Sequence, residues 1–178
     1  MNQNIKWQPT LKNKLVKLKP LRHQDFERLY LVASDKLIWE QHPAFDRYKK
    51  NVFERFFNKA IETKSAFLII DAVTEEIVGS SRYYDYNPEE KSVLIGYTFL
   101  ARKYWGTAFN KSVKTLMINY AFEQGIKNLL FHVGATNFRS QKAVEKLGSV
   151  KIKEFTKEDK GVKTQHVEFA INHTDWNK

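Results

Sequence analysis

Residues 103–110 read Lys103-Tyr104-Trp105-Gly106-Thr107-Ala108-Phe109-Asn110, the stretch whose types and order are best suited to chemistry. They follow a run with strand character, residues 93–100. They lead into a segment where Val113, Leu116, Met117, Tyr120 and Ala121 recur at helical spacing. A strand, a turn of small residues and a helix start together make an anion site. The unpaired amides of the first helical turn and the helix dipole point the same way. Gly106 and Ala108 let a ligand come close to the backbone. This chemistry suits a pyrophosphate-bearing cofactor.

The elements that must hold this turn can be traced outward from it. Residues 15–19 read as a first strand, ended by Pro20. Phe26, Leu29, Tyr30 and Val32 predict an amphipathic helix over 23–33, and Val52, Phe53, Phe56, Phe57, Ala60 and Ile61 mark another. Pro43 to Asp46 breaks the chain between them. Residues 66–73, 77–86 and 92–100 form an antiparallel meander, with turns at Thr74-Glu75-Glu76 and Asn87-Pro88-Glu89-Glu90. A helix over about 110–124 is closed by Gly125. A buried-type strand at 129–135, a short helix at 140–147 and strands at 150–156 and 162–171 complete the chain, with an Asp159-Lys160-Gly161 hairpin. The order predicts an α+β fold: a mixed sheet with helices packed on it, in one domain over 1–178.

Composition narrows the function. With 178 residues, 42% of them hydrophobic, the chain can bury a core without disulfides or metal. The absence of cysteine removes thiol nucleophiles, disulfides and thiolate metal sites, and no metal is expected. No apolar leader or membrane-length window is seen, so a cytoplasmic protein without a membrane partner is expected. The net charge of +10 is uneven. Residues 1–22 carry Lys6, Lys12, Lys14, Lys17, Lys19 and Arg22 and no acid; residues 91–122 are also acid-free and carry Lys91, Arg102, Lys103, Lys111 and Lys114. Such bias attracts nucleic acid, a ribosome or a phosphorylated cofactor, although the first cluster reads first as a solvated surface.

Two motifs now point to a family. Ile95-Gly96-Tyr97-Thr98 and then Lys103-x-x-Gly106-x-Ala108 resemble the acyl-CoA pyrophosphate motif of the GNAT N-acetyltransferases, Gln/Arg-x-x-Gly-x-Gly/Ala. Asn137-Phe138-Arg139-Ser140 followed by Glu145-Lys146-Leu147-Gly148 resembles the signature of one branch, the ribosomal-protein N-terminal acetyltransferases of the RimJ/RimL type. The resemblance spans the chain, with Val78-Gly79-Ser80-Ser81-Arg82-Tyr83 also in the expected order. It implies a mostly antiparallel sheet of about seven strands with about four helices on its two faces. The fourth and fifth strands, ending near Leu100 and starting at Leu129, would be splayed.

The resemblance also assigns roles. Acetyl-CoA is the implied cosubstrate, and a primary amine the acceptor: a ribosomal or other protein N-terminus, or a small amine. The free edge near Phe99 and Leu100 would pair with the pantetheine amides. The amides of Trp105, Gly106, Thr107, Ala108, Phe109 and Asn110 would hold the pyrophosphate, with Lys103, Arg102 or Lys111 neutralising charge. Trp105 is equally suited to core packing. Asn137 would bond the pantetheine arm or a water near the thioester, and Ser140 would protonate the departing thiolate. Alternatively Asn137 ends the strand and Ser140 caps the helix that follows. Transfer would be direct, inside a ternary complex.

One position departs from the family pattern. Many relatives place a glutamate just before the Ile-Gly-Tyr run as general base, and this chain has Leu94. Glu40, His42, Asp85 and Glu145 are the alternatives, with Glu145 reading as a surface charge and His132 as a satisfied core histidine. Tyr83, Tyr84 and Tyr86 alternate along one strand, so some would line the acceptor cleft and some the core. Two other classes remain open: a non-catalytic acyl-CoA-binding domain, and a basic ribosome- or RNA-binding module. The latter lacks an RRM-type aromatic-basic motif, so nucleic acid is not expected as a substrate. Both a monomer and a homodimer fit the sequence.

Overall fold

The computed structural model describes residues 5–159 and 161–176. The strands are β1 (Leu11–Lys12), β2 (Val16–Pro20), β3 (Ala66–Asp71), β4 (Ile77–Asn87), β5 (Ser92–Leu100), β6 (Asn128–Gly134), β7 (Val150–Asp159) and β8 (Val162–Asn172). The helices are α1 (Phe26–Ala33), α2 (Lys50–Glu62), α3 (Phe109–Glu123), α4 (Phe138–Glu145) and α5 (His173–Trp176). The strands form one eight-stranded sheet in the order β1-β2-β3-β4-β5-β6-β8-β7. This is the expected mixed architecture with one more strand and one more helix. β1 has two residues and α5 has four, too short for periodicity to reveal. Lys160, in the expected hairpin, lies outside the described residues.

Every neighbouring pair is antiparallel except β5 and β6. That parallel ladder holds only Ser92 with Asn128, Val93 with Leu129 and Leu94 with Leu130. Beyond Leu94, β5 stays with β4 as far as Leu100, while β6 stays with β8 as far as Gly134. The two strands therefore part like the arms of a V.

Local backbone explains why β5 turns away. Its register with β4 slips between Ser80 and Arg82, and nearby Tyr97 sits at φ +53, a left-handed conformation that costs a bulky residue strain. At Gly79 the two strands nearly touch: a Cβ there would lie 1.9 Å from the Phe99 carbonyl oxygen. Only glycine permits that approach.

Packing holds the V open. On one face, α3 lays Val113, Met117, Ile118 and Ala121 across side chains of both arms, including Val93 and Ile95 of β5 and Phe131 and Val133 of β6. On the other face, α1 and α2 bury Leu29, Phe53 and Phe57 against Leu68, Ile70 and Phe99. The buried stripe of α3 differs from the expected one. Lys114, Ile118 and Phe122 are buried, whereas Leu116 and Tyr120 are half-buried. The helix is rotated so that a lysine faces the sheet.

Candidate active site

The turn after β5 begins with a 3-10 turn at Arg102–Tyr104 and reaches α3 through Gly106 at φ +72. A Cβ on Gly106 would meet no atom within 4 Å, so the backbone there faces open space. The Thr107 hydroxyl donates to the Tyr104 carbonyl at 2.7 Å and accepts the Phe109 amide at 3.3 Å. Phe109 is buried with its ring centroid 4.3 Å from that of Tyr104, which anchors the helix start. Nothing else closes it. Ala108 offers no side-chain cap, and the first turn holds no acid. The amides of Gly106, Thr107, Ala108, Asn110 and Lys111 take no backbone acceptor outside the helix among the described residues. These are the orphan donors of an anion cradle.

The basic residues around the turn are only partly committed. Lys103 Nζ lies 2.5 Å from Glu76 Oε2, and Arg102 Nε lies 2.5 Å from Asp35 Oδ2. Each bond holds its carboxyl below the usual range. Such exposed pairs are weakened by solvent and yield easily to a stronger anion. Lys111, exposed in the first turn of α3, has no ion pair among the described residues.

Trp105 does two things that its sequence left open. Its indole Nε1 donates to the Leu100 carbonyl at 2.9 Å, and its ring carries the Arg139 guanidinium at 3.8 Å. The Leu100 carbonyl is thus taken, while the Phe99 carbonyl faces Gly79 across β4. Both side chains are buried. The open backbone edge lies between Leu94 and these two residues. Arg139 also donates through Nη2 to the Ile38 carbonyl at 3.2 Å and pairs with Glu40 at 3.6 Å. Its stack on Trp105 joins the two motifs across the mouth of the V.

The start of α4 shows that Asn137, and not Ser140 as expected, caps the helix. Asn137, buried, donates its amide to the Gly134 carbonyl at 2.9 Å, and its Oδ1 accepts the Ser140 amide at 3.1 Å. Asn137 is the cap. The Ser140 hydroxyl, half-buried, has no hydrogen-bond partner among the described residues and remains available as a donor.

The expected bases fare unevenly. Glu40 is occupied by Arg139, and Asp85 and Glu145 are exposed. His42 accepts the Ala44 amide at Nδ1 and meets Arg47 Nη1 at 3.2 Å on Nε2. Burial and the Arg47 charge push its pKa down to about 3, too low for a useful proton acceptor. Sequence reasoning passed over Glu168. Of the buried carboxylates among the described residues, Asp25 bonds the Arg22 amide and Asp71 holds the turn after β3. Glu168 instead lies on β8 opposite His132 of β6, 2.8 Å from His132 Nε2 and 3.5 Å from Lys153. Its one signal was an acid in the alternating run Val167-Glu168-Phe169.

Lys114, Arg82 and Arg47 were also missed. Lys114 Nζ donates to Thr98 Oγ1 at 2.5 Å and Ser81 Oγ at 3.3 Å, with no carboxylate partner. Burial alone pushes its pKa down to about 7. Its signal was position: with Met117, Ile118 and Ala121 it completes a helical stripe. Of the three tyrosines, Tyr83 is core, with its hydroxyl on the Met117 carbonyl, whereas Tyr84 packs at 4.8 Å from Tyr97 on the opposite face. Among the described residues, no group of three or more histidine and carboxylate side chains could hold a metal, and no helix is long and apolar enough to cross a membrane.

Comparison with known proteins decides the family. Residues 16–150 match the family described as Acetyltransferase (GNAT) domain. The chain belongs to the GNAT acetyltransferases. Solved GNAT structures share its fold at low identity. A GCN5-related N-acetyltransferase from Brucella melitensis is 20% identical with a TM-score of 0.81, covering 96% of this chain and 81% of that one. An acetyltransferase of the GNAT family from Bacillus anthracis is 18% identical at 0.76, covering 92% and 98%. The ribosomal-protein-S5-alanine acetyltransferase from Vibrio fischeri is 16% identical at 0.71, covering 94% and 98%. No curated protein matches. Membership in the GNAT family identifies the chemistry as acyl transfer.

Proposed function

We propose that this GNAT chain, acting as one domain, transfers an acetyl group from acetyl-CoA to a primary amine. The observation that carries the reading is the V between β5 and β6 with the uncapped start of α3 at its mouth. The site fits the cosubstrate. Orphan amides and open space at Gly106 suit a pyrophosphate, and the unpaired edge of β5 suits an amide-bearing arm that would complete the sheet. Bound acetyl-CoA supplies an activated acyl carbonyl and a thiolate leaving group.

The chain's own residues do the rest. Arg139, stacked on Trp105, lies across the mouth and limits water entry. The Ser140 hydroxyl, free of any cap duty, donates its proton to the leaving sulfur and regains one from the attacking nitrogen as the amide forms. Glu168, oriented by His132, accepts the proton of the acceptor ammonium. The Asn137 and Ser140 motif resembles that of the ribosomal-protein branch, but the Vibrio fischeri structure shares only the fold at 16% identity, so the case for an acceptor rests on the cleft itself.

Two results test this. Acetyl-CoA at a hundred times its Kd should stabilise the wild type by about 2.7 kcal/mol in a thermal shift assay. In Gly106→Glu, which puts an anion where the pyrophosphate sits, that stabilisation should vanish. Retained stabilisation would refute the pyrophosphate assignment. Separately, Ser140→Ala should lower kcat on the order of a hundredfold with little change in KM, the usual scale of one proton-transfer group. Unchanged turnover would leave Ser140 without a chemical role.

A further inference from the structure

The largest unexplained feature among the described residues is a pair of guanidinium groups with no carboxylate in contact, although Asp46 and Asp85 act on them from further off. Arg82 on β4 is 5% exposed, and its Nε and Nη1 have no hydrogen-bond partner. Its guanidinium lies 3.7 Å above the Tyr97 ring. Arg47, on the segment between α1 and α2, covers Phe56 at 4.4 Å. Neither forms an ion pair among the described residues. Burial lowers the pKa of both, that of Arg47 to about 10, and the charge of Arg82 adds to the effect on Arg47. Aromatic faces offset part of the cost of placing buried Arg82 beside half-buried Arg47, and an anion would offset far more.

Their position gives the pair a use. Arg82 is in register with Gly96, and Tyr97 beside it belongs to the arm of β5 that has left β6. The pair therefore lines the α2 side of the V. Glu168 lies on β8, and its charge is the last of five influences on the raised pKa of the Tyr84 phenol, after burial, Tyr97, Asp85 and Arg82. The α2 side of the V is thus positively charged. It is also roofed: Pro43 Cγ lies 3.0 Å from where a Cβ on Gly134 would be, so the segment carrying Arg47 reaches the end of β6. A small molecule fits under such a roof more readily than a peptide chain.

We infer that Arg47 and Arg82 bind a carboxylate of the amine acceptor, so that the substrate is a small amine bearing a carboxylate, of the amino-acid class. The inference rests on the acyl-transfer reading above. Planar guanidinium forks match a carboxylate in shape and charge, and an acceptor with only positive charges would be repelled. The ammonium of such an acceptor would face Glu168.

The test measures acetyl-CoA-dependent acetylation of L-amino acids against their carboxamides, with β-alanine and β-alaninamide included. Binding is followed in parallel as the thermal shift produced by N-acetyl-amino acids or N-acetyl-amino-acid amides in the presence of CoA. The acids should exceed the amides at least thirtyfold in kcat/KM, and only the N-acetyl acids should add stabilisation. Arg82→Gln and Arg47→Gln should erase both preferences, and Arg82→Lys should restore part of them. A normal shift with acetyl-CoA alone shows that each variant is folded. Equal use of acids and amides, a preference that survives Arg82→Gln, or no added shift from the N-acetyl acids would overturn the inference while leaving the acyl-transfer reading intact. Loss of the acetyl-CoA shift in the wild type would instead overturn that reading.

Discussion

Gly79→Ala should destabilise the protein by about 3 kcal/mol or more, the upper range for overpacking. The new Cβ would lie 1.9 Å from the Phe99 oxygen, 2.9 Å from its carbonyl carbon and 3.1 Å from the Leu100 Cα. All three are backbone atoms, so no rotamer change relieves the clash. β5 must move away from β4, and it carries the open edge of the V. Urea denaturation should show a midpoint well below wild type, and any folded fraction should respond less to acetyl-CoA. A wild-type midpoint would mean that the strands separate at little cost. Domains of this size are stable by roughly 5–15 kcal/mol, so the loss is a large fraction.

Lys114→Met should have the opposite sign. Burial lowers the pKa of the Lys114 ammonium from 10.5 to about 7. Between those values the unfolded chain binds more protons than the folded one, so stability contributed at this site rises with pH. At neutral pH the lysine costs on the order of 4 kcal/mol relative to a group that never ionises. Methionine removes that cost. It also removes two hydrogen bonds worth about 1 kcal/mol each, though Ser81 and Thr98 still bond one another at 2.7 Å. The net gain should be about 2 kcal/mol at pH 7, shrinking as pH rises and turning into a net loss of roughly 1 kcal/mol by pH 10.5, where the lost hydrogen bonds outweigh the relieved charge. Denaturation at pH 7 and pH 10.5 checks both size and trend. A gain that does not shrink would show that the ammonium is not the source.

Much of this was legible in the sequence, and the gaps have physical reasons. β5 was read at its observed bounds because turn residues flank an uninterrupted apolar run. The motif turn was legible because small residues before a helix have few other uses. Lys114 was invisible as a buried group because lysine normally marks a solvated face, yet two hydroxyls on the sheet let α3 turn it inward. Arg82 escaped for the same reason: its burial depends on Tyr97 and Phe56, which approach from other elements. The Asn137 cap was read one turn late, since serine and asparagine both favour that position. The Arg139 stack on Trp105 is a contact between distant segments that no spacing encodes.

The three-residue ladder between β5 and β6 bears on cooperativity. Among the described residues the strand ladder links the half-sheet of β1 to β5 to the half-sheet of β6 to β8 only along this short seam, and packing against α3 and the Arg139 stack on Trp105 add side-chain connections. A ligand that pairs with the open edge would act as a surrogate strand between the halves. Amide hydrogen exchange of β6 should therefore slow with acetyl-CoA more than that of β2 or β3, which lie inside one half already. Substrate binding and the unity of the sheet become the same event.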